Sequence, residues 1–290
     1  MIWEYIKSII LGIVEGITEW LPVSSTGHLI LVDEFLQLKV SSDTEVNDAF
    51  ISMFNVVIQL GAILAVVIIF WKKLFPFGKE NNPHPLQKDG FGAYIKMDIM
   101  QMWFKVIVAC LPAAVVGVLF DEWLDAHFYN PWVVAIALIT FGIAFIVVEN
   151  WNKSKKSKIT KIADLTYQTA LIIGAFQLIA AIFPGTSRSG ATIVGALLIG
   201  VSRTVAAEFT FYLAVPVMFG ASLLKIIKYD GGFDSTQLAI LGIGMIVAFV
   251  VSIFVIKFLM DYIKKHDFKV FGWYRIVLGI LVLGYFTLIK

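Results

Sequence analysis

Apolar residues come in long blocks along this chain, separated by short polar stretches. Segments without Asp, Glu, Lys or Arg cover 49–71, 126–148, 165–187 and 235–256, at 23, 23, 23 and 22 residues. A helix needs about 20 apolar residues to cross a hydrocarbon core about 30 Å thick, so these blocks predict membrane-spanning helices. Crossings are expected near 49–71, 106–120, 131–149, 205–224, 237–259 and 272–289. Three of them have shorter charge-free stretches, bounded by Lys105 and Asp121, Glu208 and Lys225, and Arg275 and Lys290. Long flanking side chains reach the interface and lengthen such spans.

Two segments follow a different pattern. Residues 8–21 read as a helix stopped by Pro22, then Val23-Ser24-Ser25-Thr26-Gly27 and a second apolar stretch from His28 to Leu38. The same layout returns as a helix to Phe183, then Pro184-Gly185-Thr186-Ser187-Arg188-Ser189-Gly190 and Ala191–Gly200. Each piece of the first segment is about 11–14 residues, or roughly 16–21 Å at 1.5 Å per residue, short of a full crossing. Broken helices at membrane depth are tolerated only inside protein or beside a watery cavity. Both segments are therefore expected to be re-entrant helix–loop–helix hairpins, against the alternative of two kinked full crossings.

The two layouts align. A shift of 162 pairs Gly12 with Gly174, Ile17 with Ile179, Pro22 with Pro184 and Ser25 with Ser187, while Glu15 faces Gln177 and Ser24 faces Thr186. A shift of 159 pairs Phe50 with Phe209, Gly61 with Gly220, Ala62 with Ala221 and Leu64 with Leu223. One hairpin plus three crossings changes side an odd number of times, so the second half is expected upside down relative to the first. Such inverted repeats place their site where the broken helices meet. The expected fold is an all-α polytopic membrane protein with about six transmembrane helices and two re-entrant hairpins. It forms one domain: repeat one 1–150, a basic linker 151–164 and repeat two 165–290.

Composition agrees. The chain is 59% apolar and 15% charged, with mean hydropathy +0.85, whereas soluble domains are nearer 45–50% apolar and roughly 25% charged. Net charge is only +2, so no basic surface marks a nucleic-acid partner. The single cysteine, Cys110, lies in an apolar run, which excludes a disulfide framework and reads as packing. Glu15 and Glu19 interrupt any secretory-signal core. Lysines divide the loops: 72–105, 150–168 and 261–271 carry six, five and three, while 38–48, 121–130 and 225–236 carry one, none and two. Positive-inside bias puts the first set in the cytoplasm and both termini outside. The run from Lys153 to Lys158 reads as a topogenic linker, or as a seat for anionic lipid heads.

Chemistry gathers in the two broken segments. Glu15 and Glu19 lie four apart on one helix face, and ionisable groups at this depth are costly and usually functional. Two neighbouring acids share a proton or a cation. Mg²⁺ or Ca²⁺, which take oxygen ligands, suit the pair; solvated acids at a helix end are the alternative. Ser24, Ser25 and Thr26 open a helix as caps or as anion donors, and His28 adds the one side-chain type whose unperturbed pKa lies near neutrality. His84, His127 and His266 read as loop residues without a role. Arg188, one of three Arg against 20 Lys, offers the planar fork that grips phosphate oxygens. Ser187, Ser189 and Thr192 add donors, and a structural pair of Arg188 with Glu19 is the alternative. Arg203 with Glu208 reads as an interface anchor or a structural pair. Asn55 and Gln59 line a cavity or bond neighbouring helices. Together these residues suit a phosphate-bearing ligand in a lipid-accessible cavity, where metal and Arg neutralise a departing phosphoryl group.

At these residues the sequence resembles the bacterial undecaprenyl-diphosphatases of the bacitracin-resistance type. The family signatures read here as Glu15-Gly16-Ile17-Thr18-Glu19 and Pro184-Gly185-Thr186-Ser187-Arg188-Ser189-Gly190-Ala191-Thr192. Leu21 to His28, Gln59 to Ala62 and Glu208 to Pro216 are similar as well. The resemblance implies hydrolysis of undecaprenyl diphosphate, metal dependence and an outward-facing site in the plasma membrane. It implies that Glu15 and Glu19 serve metal and catalysis, that Ser25 or His28 is the nucleophile, and that Arg188, Ser187 and Thr192 hold phosphate. Attack by water with His28 as base, and attack by Ser25 activated by His28, both stay open. Lipid is an expected partner, a homodimer is compatible, and bacitracin would compete by sequestering the substrate. Lipid phosphatases with His six residues after the Arg of a Ser-Arg pair are excluded, since that position is Val194. The other functional class left by the pattern is a transporter or flippase for a lipid phosphate.

Overall fold

The computed structural model describes residues 2–79 and 82–288. Among them are twelve α-helices: α1 (Ile2–Thr18), α2 (Ser25–Phe35), α3 (Thr44–Val57), α4 (Gln59–Ile69), α5 (Trp71–Leu74), α6 (Met97–Phe128), α7 (Pro131–Asn152), α8 (Tyr167–Ile182), α9 (Arg188–Leu198), α10 (Arg203–Lys228), α11 (Ser235–Tyr262) and α12 (Lys269–Leu288). Extended pairing among the described residues is limited to isolated bridges.

Six spans are long and apolar enough to cross a membrane: Thr44–Ile69, Met97–Phe120, Pro131–Asn152, Arg203–Lys228, Ser235–Tyr262 and Lys269–Leu288. The chain is an all-α polytopic membrane protein. Most of the helices overrun the expected crossings, and three of the spans start at polar caps that supply their first hydrogen bonds. Asp43 accepts from Glu45 and Val46, Asn130 accepts from Val133 ahead of Pro131, and Asp234 forms a capping box with Gln237. The expected first crossing is in fact two helices that meet at Ile58.

The two broken segments form helix pairs α1–α2 and α8–α9, with boundaries at Thr18, Ser25, Ile182 and Arg188 rather than those expected. Their packing is reciprocal. α1 lies along α11, α8 along α6, α4 against α10, and α7 along α12 in the most extensive contact. Small residues let these backbones touch. A Cβ on Gly12 would sit 2.7 Å from the Gly244 carbonyl, and one on Gly174 only 2.2 Å from that of Ala109. Gly142 and Gly272 face each other's carbonyls in the same way.

The alignment of the two loops needs correction. Ser24 caps α2 and accepts from Gly27 N–H; Ser187 caps α9 and accepts from Gly190 N–H. Ser24 therefore corresponds to Ser187, and Ser25 to Arg188, one residue out of step with the 162 shift. One extra residue between Pro184 and its cap is the reason, and Gly185 absorbs it. Gly185 has φ +89°, and a Cβ there would lie 2.6 Å from the Val134 carbonyl. Gly185→Ala is expected to cost roughly 1–3 kcal/mol, read as a lowered midpoint in thermal denaturation of the detergent-solubilised protein.

Candidate active site

Both loops reverse sharply at their caps. Ser24 (φ 76°) and Ser187 (φ 69°) are the two non-glycine residues with positive φ among those described, and such strain concentrates at functional positions. The reversals bring the first turns of α2 and α9 to one place. Arg275 on α12 holds the turns there. Its guanidinium is fully buried and donates to the carbonyls of Pro22 (3.2 Å), Gly185 (3.0 Å), Thr186 (2.7 Å) and Leu138 (3.4 Å). Gly190 leaves the room this needs, since a Cβ there would lie 2.6 Å from Arg275 Nη1.

Within this frame the predicted residues converge on Glu19. Its Oε1 accepts from Arg188 Nη2 at 2.8 Å and its Oε2 from Ser25 Oγ at 2.7 Å. Its backbone carbonyl accepts from Ser189 Oγ at 3.2 Å. Arg188 also donates from Nη1 to the Thr210 carbonyl at 2.9 Å. Thr192 is buried and shares a 2.8 Å hydrogen bond with Thr210. Ser187 Oγ lies 3.1 Å from Ser189 Oγ. The Arg188–Glu19 pair named as the alternative is thus present, and it sits inside the candidate site rather than apart from it.

Glu15 is one turn back on α1, fully buried, with neither carboxylate oxygen hydrogen-bonded. That removes the reading of solvated acids. Gln177, Thr186 Oγ1 and Trp20 Nε1 are likewise buried without partners. Polar atoms left unpaired in this way mark places that water, an ion or a ligand would satisfy. Among the described residues, no three His, Cys, Asp or Glu side chains converge as a metal cluster.

His28 lies elsewhere. Its Nδ1 is 2.7 Å from the Ser24 carbonyl and its Nε2 is 2.6 Å from Tyr274 Oη, with the rings stacked. Since a carbonyl only accepts, Nδ1 carries a proton, and in the neutral ring Nε2 accepts from the tyrosine. His28 therefore does not hydrogen-bond Ser25, and the proposed activation of Ser25 by His28 is corrected: the carboxylate of Glu19 holds that hydroxyl. Three positions of helix separate Ser25 from His28, and the local bond to the Ser24 carbonyl turns the ring toward α12. Thr26 is half-buried on the first turn of α2 and makes no side-chain hydrogen bond to the described residues.

Other pairings also differ. Arg203 binds Glu149 through two nitrogens at 2.6–3.2 Å, while Glu208 pairs with Lys73 and Tyr212. Five helical positions put Arg203 and Glu208 on different faces. His127 closes α6, stacked on Trp123, rather than lying in a loop. Arg275, Tyr274 and Thr210 escaped the sequence reading. Arg275 carried one signal, an arginine in a lysine-rich chain, but its place beside an apolar block matched an interface anchor.

The family model for the bacitracin resistance protein BacA matches residues 8–281. The chain belongs to this family. A protein named undecaprenyl-diphosphatase from Desulfitobacterium hafniense is 61% identical over 284 residues, 98% of this chain and 96% of its own. Undecaprenyl-diphosphatase 1 from Clostridium acetobutylicum is 60% identical, covering 99% and 98%. Undecaprenyl-diphosphatase from Enterococcus faecalis is 61% identical, covering 97% and 96%. Both loops of the candidate site fall within the region that the family model matches.

Proposed function

We propose that this chain hydrolyses undecaprenyl diphosphate to undecaprenyl phosphate and inorganic phosphate. This recycles the lipid carrier for peptidoglycan synthesis and confers resistance to bacitracin, which competes by sequestering the substrate. The observation that carries the reading is the continuous contact Arg188–Glu19–Ser25 between the N-termini of α2 and α9. A phosphate-gripping fork and a hydroxyl nucleophile meet there on one carboxylate. Helix N-termini favour anions, and relatives at about 60% identity are named for this activity.

On substrate binding, Arg188 moves from Glu19 onto the terminal phosphate oxygens, with Ser187, Ser189 and Thr192 as neighbouring donors. Ser24 and Thr26 supply the facing turn. Ser25 Oγ passes its proton to Glu19 Oε2 as it attacks the terminal phosphorus. The bond to the bridging oxygen breaks and undecaprenyl phosphate leaves. Water then cleaves the phosphoserine, its proton taken by Glu15, and Glu19 returns its proton to Ser25 Oγ as the P–O bond breaks. A phosphoserine trapped at residue 25 by rapid quench is the expected result. Phosphohistidine at His28, or no phosphoenzyme, assigns the attack to His28 or to water.

Glu15 and Glu19 fit a divalent cation, Mg²⁺ or Ca²⁺, because Glu15 presents two buried unpaired oxygens beside the loop. When bound, the ion would neutralise charge on phosphoryl oxygens, with its other ligands coming from substrate and water. A chelator is expected to abolish phosphate release from undecaprenyl diphosphate, and added Mg²⁺ or Ca²⁺ to restore it. Turnover unchanged by chelator overturns the cation seat.

The loop lysines support a site and both termini on the outer face of the bacterial plasma membrane, with α1–α2 and α8–α9 as opposed re-entrant hairpins. A homodimer is compatible with this arrangement. Reciprocal helix packing also suits transport of a lipid phosphate. Phosphate release in detergent supports the enzyme; lipid movement across vesicles without phosphate release supports transport.

A further inference from the structure

The lysine-rich linker is tied down rather than spread over the surface. Ile159 forms a parallel bridge with Val201, Lys158 N–H donates to the Gly200 carbonyl at 2.8 Å, and Ser202 N–H donates to the Ile159 carbonyl at 2.8 Å. Asn152 Nδ2 adds a 2.8 Å bond to the Leu197 carbonyl. Together these contacts frame a cavity of about 770 Å³ over the C-terminal end of α9. Arg188 opens the same helix at its other end, roughly 16 Å away at 1.5 Å per residue. The cavity and the candidate active site share no residue.

The charged part of the lining is almost wholly cationic. Lys153, Lys155, Lys156, Lys158, Lys264 and Arg203 face Glu149 as the lone acid of the lining. Glu149 is already spent: Arg203 binds both of its oxygens, and Phe268 N–H donates to one of them at 3.0 Å. Lys264 pairs with Asp261, and Lys155 lies over the Trp151 ring at 3.6 Å. Lys153, Lys156 and Lys158 form no ion pair among the described residues. Like charges lining one cavity repel one another, and a bound anion relieves the repulsion. The rim has the opposite character, with Trp151 62% and Leu198 48% exposed. Tryptophan at such a boundary suits the headgroup level of a bilayer.

We infer that this cavity is a second anion site, which binds the phosphate group of an anionic amphiphile. Lys153, Lys156 and Lys158 hold the phosphate oxygens, and Trp151 and Leu198 lie against the attached chain. The phosphate comes from a lipid headgroup or from free phosphate.

Native mass spectrometry of the full chain, released from detergent, tests this with phosphatidylglycerol, phosphatidylcholine and inorganic phosphate as probes. The expected result is a one-to-one phosphatidylglycerol adduct, formed at lower lipid concentration than with phosphatidylcholine. The combined variant Lys153→Gln, Lys156→Gln and Lys158→Gln should weaken it at least roughly tenfold. Phosphate-releasing activity in detergent should stay within about twofold, because surface substitutions remote from a site seldom alter it. Lys156→Glu, at one exposed position, should weaken the adduct in the same direction should the combined variant fold poorly. Arg188→Ala should leave the adduct unchanged, which separates this cavity from the active site. Displacement by millimolar inorganic phosphate, with no gain from the lipid chain, supports the site with free phosphate as its ligand. Equal binding of both lipids without displacement by phosphate, or binding indifferent to the lysines, overturns the inference.

Discussion

Replacing Arg188 by alanine is expected to lower kcat/KM for phosphate release by about 10³-fold, the scale seen when one preorganised group facing developing charge is removed. Arg188 is the one guanidinium in the Glu19 cluster, and it is held ready by the Thr210 carbonyl and by Glu19. Without it, charge on the terminal phosphoryl oxygens loses its two-point partner. Arg188→Lys keeps the charge but not the fork, so it should recover only a small part of the loss. Initial rates of phosphate release from undecaprenyl diphosphate in detergent provide the measurement, with a thermal melt to verify folding. Near-normal turnover in a folded Arg188→Ala protein would remove the clamp from the mechanism.

Arg275→Leu is expected to cost at least about 3 kcal/mol of stability, since each buried acceptor left unpaired costs roughly 1–3 kcal/mol. Three loop carbonyls rely on this side chain, while that of Leu138 lies within α7. Two of its acceptors sit in the loop before α9 and one in the loop before α2, so its loss also frees the turns that set Ser25 against Glu19. A lowered unfolding midpoint together with loss of kcat is the expected signature. An Arg275→Lys variant reaches fewer carbonyls and should fall between the two. A stable Arg275→Leu protein with full activity would show that the loops hold their positions without the tie.

Much of the site was legible in the sequence because burying charge in a membrane is costly. Glu15, Glu19 and Arg188 stood out for that reason alone, and Pro22 and Pro184 marked the breaks beside them. His28 carried the same signal, yet the structure directs it to Tyr274. The reason is local: a hydrogen bond to the Ser24 carbonyl, four residues back, sets the ring's direction, and nothing in the residue order announces it. The one-residue slip between the loops was hidden as well. Matching identities favoured Ser25 with Ser187, whereas cap geometry equates Ser24 with Ser187.

Hydropathy over some twenty residues suffices to define a span, so the amino-acid order by itself determined the six crossings and the two interrupted segments. Proline, glycine and hydroxyl residues act within a turn or two, so it also determined where those segments break. Tertiary structure alone decided who partners whom. Arg188 and Glu19 are 169 residues apart, and Arg275 and Pro22 are 253 apart. Contacts over such distances depend on how helices pack, through glycines that admit neighbouring backbones, and only the folded chain brings them within reach.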